Sequence, residues 1–414
     1  MIDSPDHEGE PDSMKILILS KLLPHPRGVS GSTIVFNRIR GLVERGHEVS
    51  LLSFSSGEDD VFRGEVLPLL AGAEFVPAPE PRSPAMRLAS HMLSRGQHLF
   101  CDVTCPALYA RLGAMVERHG FHVVIAEFTG MGQYLYHNPF LPAVRRIVSC
   151  HECRTAAYLR AIQVHAWEPR NLMRRLIFRY IRRMEFRLYR NADHVLALTH
   201  QERLRLLTHG PDLRVSVIPH PIMPESLSVD LNAEKDEVIL FVGYFQLEPN
   251  RDAVLWFARS IWPALRKRFP NAEFHVIGRS VTPEIAEMSR IPGIRVLGEI
   301  DDIRPHLSRA RVFVCPIRMG SGFRPKILEA MAAGVPVVAT ATAAEGLPIW
   351  NGNTHFVADS PNRTIEAISQ LLTDPDLART VAQNARNMIA DKFCWKTGID
   401  ALDRVVHEVV KSDY

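Results

Sequence analysis

Short runs of apolar, often β-branched residues recur along this chain, and longer stretches with the apolar spacing of helices separate most of them. Such runs are typical of strands buried in a parallel sheet. The sequence predicts strands at Lys15–Ser20, His47–Phe54, Phe121–Ala126, Arg146–Cys150, Asp193–Thr199, Val215–Pro219, Glu237–Gly243, Glu273–Gly278, Arg295–Gly298, Arg311–Pro316 and Val337–Thr340. Because strands alternate with helices, the pattern favours an α/β fold with doubly wound parallel sheets.

A chain of 414 residues is long enough for two domains. Three prolines between 219 and 224, followed by a polar run to Asp236, predict a linker between them. We therefore expect a disordered acidic tail over 1–13 that is not a signal peptide, Rossmann-like domains over 14–225 and 226–390, and a terminal helical segment over 391–414.

Composition narrows the class of protein. Apolar content of 46% and charged content of 23% are those of a globular protein, and a net charge of +3 does not suggest nucleic-acid binding. No apolar run reaches the roughly 18 residues that a membrane span needs. Six cysteines in a chain of this length suggest reduced thiols and a cytoplasmic protein.

Two weaker motifs are interpreted as structural. Cys150 and Cys153 form a C-x-x-C, but a zinc site would need two further ligands, and no second C-x-x-C follows. Asp374-Pro375-Asp376 is formally a D-x-D, although its place between two helices indicates capping rather than a metal site. We therefore predict neither a metal site nor a cofactor.

The glycine loop between the first two predicted strands has Gly28 and Gly31 but lacks the G-x-G-x-x-G pattern. No acid follows the second strand at Ser50–Ser55 to hold a ribose. NAD binding is therefore disfavoured. We expect the loop to run to Thr33 and a helix to follow from about Ile34 to Arg45.

The most informative stretch, Arg311–Leu347, has the pattern strand, glycine loop, helix, strand. The loop ends in Ser321, Gly322 and Phe323, where glycine lets the backbone approach a ligand closely. Pro325 suits the first helical position, and Gly334 ends the helix.

This helix predicts an anion site at its start. Arg324 is a poor N-cap, so the N–H groups of the first turn lack an evident side-chain acceptor. With Arg324 and Lys326 beside them, they favour a phosphate or diphosphate. Glu329 lies one turn further on, where its carboxylate can accept hydrogen bonds from sugar or ribose hydroxyls. The alternative is an ordinary βαβ unit with solvated charges.

The form GSGFRPKILEAMAAG resembles the donor-binding motif of the retaining, nucleotide-sugar-dependent glycosyltransferases of group 1 (family 4), which have the GT-B fold. In that family two glutamates stand eight positions apart. Glu329 matches the second, whereas Ser321 occupies the position of the first. The family usually also has a lysine after the strand that ends at Gly243, and none follows here, so the resemblance assigns the diphosphate to Arg324 and Lys326.

The resemblance implies further site residues and partners. It places a histidine near the transferred sugar, for which His151 is the candidate, and it turns the terminal helix back onto the first domain. The remaining positions that it implies are donor contacts at Gly243, Gly298, Glu299, Glu345 and Gly346, and cleft contacts at Gly28, Gly31 and Ser32. The partners would be a nucleotide sugar and a saccharide, lipid-linked or small-molecule acceptor.

Residues 170–190 form the most unevenly charged stretch, with eight arginines against Glu185. Apolar residues recur there with helical spacing, which predicts a long helix that packs one face on the sheet. A basic amphipathic helix can also touch an anionic membrane. Because the arginines recur on several faces, we favour the structural interpretation and keep peripheral membrane contact as the alternative.

The expected activity is retaining transfer of a sugar from a nucleotide-diphosphate donor to an acceptor hydroxyl, which the resemblance connects with bacterial polysaccharide or glycoconjugate synthesis. Arg324, Lys326 and Glu329 would act with His151, and closure of the two domains would assemble the site. A nucleotide-sugar epimerase and a non-catalytic nucleotide-sugar-binding partner remain alternatives, separated by product analysis with and without an acceptor.

Overall fold

The structure is a computed structural model. It describes residues 13–26, 31–55, 62–78, 104–164, 169–222, 234–300, 302–320, 323–348 and 351–412. Three residues that the sequence assigns to the site, Gly28, Ser321 and Gly322, lie outside these ranges, as does most of the predicted linker.

Seven parallel strands form the first sheet, in the order β3-β2-β1-β4-β5-β6-β7. They are β1 (Lys15–Ser20), β2 (Glu48–Ser55), β3 (Gly72–Pro77), β4 (Val123–Glu127), β5 (Arg145–Cys150), β6 (His194–Ala197) and β7 (Val215–Val217). The helices of this half are α1 (Gly31–Glu44), α2 (Arg63–Val66), α3 (Pro106–His119), α4 (Arg154–Val164), α5 (Pro169–Arg190) and α6 (His200–His209). The chain order reverses between β1 and β4. The carboxyl ends of these two strands therefore form a topological switch point, where ligands of open α/β sheets bind.

Six parallel strands form the second sheet, in the order β10-β9-β8-β11-β12-β13. They are β8 (Asp236–Val242), β9 (Glu273–Ile277), β10 (Ile294–Gly298), β11 (Ala310–Cys315), β12 (Val337–Ala339) and β13 (Phe356–Val357). Its helices are α7 (Glu248–Ser260), α8 (Trp262–Arg268), α9 (Pro283–Ala286), α10 (Arg304–Arg309), α11 (Pro325–Ala332), α12 (Pro361–Thr373) and α13 (Pro375–Lys392), followed by α14 (Trp395–Lys411). The sequence thus predicts the α/β class and both parallel sheets correctly.

Two predicted element boundaries are wrong. The apolar spacing of the sequence predicts one helix over Asp252–Phe269, whereas the structure divides it at Ile261 into α7 and α8, because Pro263 cannot donate the hydrogen bond that would continue the helix. Gly31 and Ser32, expected in a loop, begin α1. A Cβ on Gly31 would overlap the Phe128 ring, so this glycine is required for close packing rather than for a turn.

The last helix returns to the first domain, as the resemblance implies. Ile399 of α14 packs against Gly41 of α1, and Leu402 and Val406 join the core on the β1 and β2 side. At the start of α14, the Trp395 indole N–H donates to Glu44 at 2.9 Å. The returning chain passes beside the outgoing one, where the Ile222 N–H donates to the carbonyl oxygen of Phe393 at 2.9 Å.

Helices α4 and α5 form a hairpin, and the buried carboxyl group of Glu185 links the two helices. Glu185, the acid of the arginine-rich stretch, accepts the backbone N–H groups of Arg154 and Thr155 at the start of α4, at 2.8 and 2.7 Å. It thereby caps α4 from the neighbouring helix. The thiol of Cys153 lies beside it at 3.8 Å, and burial raises the pKa of that thiol well above its usual range. The C-x-x-C cysteines are thus buried, protonated core residues.

Among the described residues, one group of side chains lies close enough to share a metal ion, and it joins α14 to the first domain. His47 Nε2 lies 2.7 Å from Asp403 Oδ1, and His407 Nδ1 lies 3.3 Å from the same oxygen. The Met14 N–H donates to His47 Nδ1 at 3.2 Å, so the Nε2 atom carries the proton and donates to Asp403. This tautomer favours a structural contact over metal ligation.

No helix among the described residues is both long and apolar enough to cross a bilayer.

Candidate active site

A cavity of about 260 Å³ opens between the two domains at the carboxyl ends of their central strands. The first domain supplies Lys21, Gly31, Ile34, Phe54, Phe128, Thr129, Gly130, Met131, Gln133, His151, Glu152, Arg154 and Leu198 to its lining. The second domain supplies Leu247, Phe323, Arg324 and Pro325. The cavity therefore brings the two sequence-predicted groups, the start of α11 and His151, onto facing walls.

The start of α11 opens into this cavity. Arg324 is its N-cap and makes no side-chain cap hydrogen bond to the first turn, and Pro325 occupies the first helical position. Both residues line the cavity, with the buried ring of Phe323 beside them. An uncapped helix start next to a guanidinium has the electrostatics of an anion site.

Lys326 does not line the cavity. Its Nζ donates to the carbonyl oxygen of Val242 and to Asn250 Oδ1, both at 2.9 Å, and lies over the Phe241 ring. Burial lowers the pKa of Lys326 to about 8. The ammonium group thus reaches the segment just after β8, where the family usually has its own lysine. Direct contact of Lys326 with a phosphate stays a prediction.

Glu329 lies one turn into α11, mostly buried. Burial raises the pKa of its carboxyl to about 7, against the opposing effect of Lys326. A carboxyl group with so high a pKa is costly to ionise. Strongly shifted pKa values are more common at functional sites than elsewhere. Its predicted contact with donor hydroxyls is compatible with this environment but stays a prediction.

On the opposite wall, His151 follows β5 and packs against Phe128, with ring centroids 4.2 Å apart and the rings tilted by 30°. Phe128 has a φ of 71°, an unusual conformation for a residue with a side chain, directly after β4. The His151 Nδ1 atom lies 3.7 Å from the point where a Cβ on Gly31 would stand. The glycine at the start of α1 therefore makes room for the ring pair that lines the cavity.

A buried network fixes the His151 ring. Its Nε2 atom lies 2.7 Å from Glu127, whose two oxygens accept from Arg38 Nη1 at 2.9 Å. Burial alone would raise the pKa of Glu127, but Arg38 and His151 outweigh it and hold the value at about 2. Burial lowers the pKa of His151, and Glu127 only partly offsets this.

The ionised Glu127 can only accept hydrogen bonds, so the His151 Nε2 atom carries the proton. In the neutral ring, Nδ1 is then an acceptor on the Gly31 side. Sequence reasoning missed the Arg38–Glu127 pair, although a signal existed. Arg38 lies four residues after Ile34, on the apolar face of its helix, and Glu127 ends a wholly apolar strand.

Glu345 and Gly346, predicted to contact the donor, dock onto the first domain. The Glu345 carboxylate accepts from Arg160 at 2.9 and 3.0 Å and also pairs with Arg205. The Gly346 N–H donates to Gln201 Oε1 at 3.0 Å. In this arrangement the two residues join the domains rather than line the cavity. Sequence reasoning could not see this, because all three partners come from the other domain.

The other predicted donor contacts lie outside the cavity lining. A Cβ on Gly278 would overlap the carbonyl oxygen of Gly243, so the two glycines pack directly against each other. Gly298 has a positive φ of 71° at the end of β10. Glu299 pairs with Arg279 at 2.7 Å on the exposed surface. Ser32 is buried in the first turn of α1. Their proposed substrate contacts stay predictions.

Comparison with known proteins identifies both halves of the chain. Residues 31–221 match the family described as "Glycosyl transferase 4-like domain", and residues 236–374 match "Glycosyl transferases group 1". The chain therefore belongs to the group 1 glycosyltransferases. Its two parallel-sheet domains form the GT-B fold of that class.

Individual relatives are distant. Glycosyltransferase 1 domain-containing protein 1 of Xenopus tropicalis is 24% identical over 234 residues, which cover 52% of this chain and 67% of that protein. In two further curated relatives, the matched stretches cover 27% and 46% of the relative's own length. This chain therefore matches less than half of each of them.

Solved structures match nearly the whole chain. Sucrose-phosphate synthase from Thermosynechococcus elongatus has a TM-score of 0.70 at 17% identity, covering 95% of this chain and 99% of that one. Anabaena HepE in complex with UDP-glucose has a TM-score of 0.65 at 15% identity, covering 95% and 100%. These likenesses establish the fold.

Proposed function

We propose that the protein transfers a sugar, with retention of configuration, from a nucleoside-diphosphate sugar to an acceptor hydroxyl. The observation that carries this proposal is the cavity in which the uncapped start of α11, with Arg324, faces His151 across the two domains. The match to HepE, which was solved with UDP-glucose, supports a nucleotide-sugar donor.

In this proposal the start of α11 stabilises the leaving diphosphate. As the glycosidic bond breaks, negative charge develops on the diphosphate oxygen. Arg324 and the backbone N–H groups of the first turn are fixed before the reaction, so they need no reorganisation when that charge appears. Lys326 lies in the same first turn, where its ammonium group donates to Val242 and Asn250, and it adds positive potential at this end of the helix.

His151 would bind the transferred sugar as a neutral ring. Because Glu127 fixes the proton on Nε2, the Nδ1 atom can accept a hydrogen bond from a sugar hydroxyl. Glu329 would accept hydroxyls on the donor side. The two walls belong to different domains, so substrate binding and domain closure are coupled.

The direct test is a transfer assay. Purified protein is incubated with UDP-glucose, UDP-N-acetylglucosamine or GDP-mannose and a panel of saccharide and lipid acceptors, and the anomeric configuration of any product is read by NMR. We expect a product that keeps the donor's configuration. Inversion would overturn the retaining mechanism, and an altered free nucleotide sugar without an acceptor would identify an epimerase. Binding without turnover would identify a non-catalytic partner.

We further propose that the first domain rests on an anionic membrane surface through α5. Five exposed arginines run along one side of this helix: Arg175, Arg179, Arg182, Arg183 and Arg187. None of these five has an acidic partner among the described residues, whereas Arg190 at the end of the helix pairs with Asp212. Leu172, 67% exposed, adds an apolar contact at the start of the stripe. Such a surface complements anionic lipid headgroups.

A further inference from the structure

Thr129 lies on the first-domain wall of the cavity, at the start of a short 3₁₀ helix that directly follows Phe128. The residue is only 4% exposed, yet it lines the cavity. A Cβ on the next residue, Gly130, would meet no atom within 4 Å, so the space beside Thr129 is open. Thr129 therefore brings a hydroxyl group next to room for a ligand.

The Thr129 hydroxyl group is the first member of a chain of hydrogen bonds. Its Oγ1 atom lies 2.9 Å from the hydroxyl oxygen of Tyr189, a fully buried residue near the end of α5. The Tyr189 hydroxyl in turn donates to Glu185 Oε1 at 3.1 Å. The chain thus runs from the cavity wall to the carboxyl group that caps α4.

Glu185 sets the polarity of this chain. Its two oxygens accept the backbone N–H groups of Arg154 and Thr155, the Thr155 hydroxyl at 2.5 Å and the Tyr189 hydroxyl. Burial raises the pKa of Glu185, and the hydrogen bonds from Thr155, Arg154 and Tyr189 oppose that effect. Because these donors occupy its lone pairs, the carboxyl group has no position left for a proton and is held ionised.

The direction of the remaining hydrogen bonds follows from this charge. Burial raises the pKa of Tyr189 well above its usual range, so the phenol keeps its proton. A charged acceptor forms the stronger hydrogen bond, so Tyr189 directs that proton to Glu185 and accepts from Thr129. The Thr129 hydroxyl therefore directs its single proton to Tyr189, and its Oγ1 atom can only accept a further hydrogen bond.

We propose that Thr129 Oγ1 binds a hydroxyl group of the substrate as a hydrogen-bond acceptor of fixed polarity. The inference rests on the proposed function, in which the transferred sugar and the acceptor both bring hydroxyl groups to this cavity. Glu127 holds His151 Nδ1 on the same wall as an acceptor in a similar way. These two atoms favour a ligand that donates, such as a polyhydroxylated ring, over a group that only accepts.

The alternative role for Thr129 is to support the wall through Tyr189. In that case Thr129→Val lowers the free energy of unfolding and leaves every ligand affinity unchanged. If the hydroxyl binds substrate, Thr129→Val lowers affinity for the ligand that carries the contacted hydroxyl, and Thr129→Ser retains that affinity. Because Thr129 carries no charge, neither variant changes the electrostatic attraction of the cavity for a nucleoside diphosphate.

The experiment has two arms, each with wild type, Thr129→Val and Thr129→Ser. The first is calorimetric titration with UDP, GDP, UDP-glucose, UDP-N-acetylglucosamine and GDP-mannose. The second measures the acceptor KM at saturating donor with methyl α-glucopyranoside, methyl α-mannopyranoside and octyl β-glucopyranoside. A loss of nucleotide-sugar affinity assigns the contacted hydroxyl to the transferred sugar, whereas a rise in acceptor KM assigns it to the acceptor.

We expect Thr129→Val to lose about three- to tenfold in one of the two arms, which corresponds to one hydrogen bond. Thr129→Ser should differ from wild type by less than about twofold, as should the affinity of both variants for UDP or GDP. Unchanged nucleoside-diphosphate binding also verifies that the variants are folded.

Tyr189→Phe tests the fixed polarity. Without the phenol oxygen, the proton of Thr129 is no longer directed away from the ligand, so the same affinity should fall by about two- to fivefold although Thr129 is intact. Thr208→Val is the control, because it removes an exposed hydroxyl that donates to the carbonyl oxygen of Leu204 on α6, and it should behave as wild type. Wild-type affinity in Tyr189→Phe would overturn the fixed polarity.

Unchanged nucleotide-sugar affinity together with unchanged acceptor KM in Thr129→Val would overturn the role of Thr129 alone, as would an equal loss of affinity for UDP or GDP. If wild type binds a nucleotide sugar but transfers it to none of the three acceptors, unchanged nucleotide-sugar affinity is by itself enough to overturn that role. Failure of wild type to bind any of the nucleotides would instead overturn the proposed function.

Discussion

Two glycines on the first-domain wall of the cavity differ in the space around them. A Cβ on Gly31 would overlap the Phe128 ring, whereas nothing lies within 4 Å of a Cβ on Gly130. We expect Gly31→Ala to destabilise the protein by about 1–3 kcal/mol through overpacking and to reduce turnover by displacing Phe128 against His151. Gly130→Ala is the matched control for the free energy of unfolding, measured by urea denaturation. Equal stability of the two variants would contradict the tight Gly31–Phe128 packing.

Glu329 gives a prediction with a defined pH dependence. Burial raises its pKa in the folded protein to about 7, above its ordinary value of 4.5, so the folded state holds this proton more tightly than the unfolded state. The resulting stabilisation is complete below the unfolded value and is lost as pH rises through 7.

Glu329→Gln, which cannot ionise, should therefore raise the free energy of unfolding at pH 8.5 by on the order of 1–3 kcal/mol and leave it nearly unchanged at pH 4.5. The same variant should lose sugar transfer. Urea denaturation at the two pH values is the measurement, and a destabilised variant at pH 8.5 would contradict the buried-carboxylate account.

At the residue scale, the sequence predicts the chemical character of the start of α11, but it does not predict where the Lys326 side chain points. The weak N-cap at Arg324 follows from residue type alone. The inward turn of Lys326 does not, because its partners Val242 and Asn250 are more than seventy residues away in the chain. The resemblance drew attention to the charge of Lys326, whereas burial decides where the ammonium group lies.

At the element scale, the short apolar runs predict eleven of the thirteen described strands to within two residues at each end and miss β3 and β13. The two strands and the helix predicted within 311–347 are correct, because Pro325 and Gly334 mark both ends of α11. Gly31 misled the prediction, since glycine in a helix is required by a tertiary contact that the sequence does not reveal.

The arginine stripe of α5 is tested with vesicles. We expect the protein to cosediment with vesicles containing about 30% phosphatidylglycerol and to be released by salt, as screening of surface charge requires. Substituting Arg175, Arg179 and Arg183 by Gln should weaken partitioning by about 3 kcal/mol, roughly a hundredfold, at about 1 kcal/mol per charge.

The matched control for the stripe removes three exposed arginines that are already paired with acids: Arg259, Arg309 and Arg379. This control changes net charge equally and should partition like wild type. An equal loss in both variants would mean that only net charge matters, and α5 would then be a structural helix alone.

At the scale of the whole molecule, Glu345 joins the domains. It pairs with Arg160 and Arg205, and Arg160 also donates to the carbonyl oxygen of Gly320 at 2.6 Å, in the loop before α11. Charges that lie outside the cavity thus help to hold its two walls together. The hydrogen bond from the Ile222 N–H to the Phe393 carbonyl oxygen links the segment that leaves the first domain to the segment that returns to it.

We expect Glu345→Gln to favour the open arrangement, because two arginines lose their shared carboxylate. Small-angle scattering should give a larger radius of gyration for the ligand-free variant, and saturating donor should reverse the difference. Donor KM should rise several-fold with little change in kcat. A variant with the dimensions and KM of wild type would show that Glu345 does not hold the domains together.

The central claim is that the start of α11 binds a diphosphate inside the interdomain cavity. The most direct measurement is calorimetric titration of UDP and GDP into wild type, Arg324→Gln and the control Arg318→Gln, whose exposed arginine pairs with Asp252. The account predicts binding of at least one nucleotide by wild type and by the control, with a loss of about ten- to a hundredfold for Arg324→Gln. Equal affinity in all three proteins, or no binding by wild type, would contradict it.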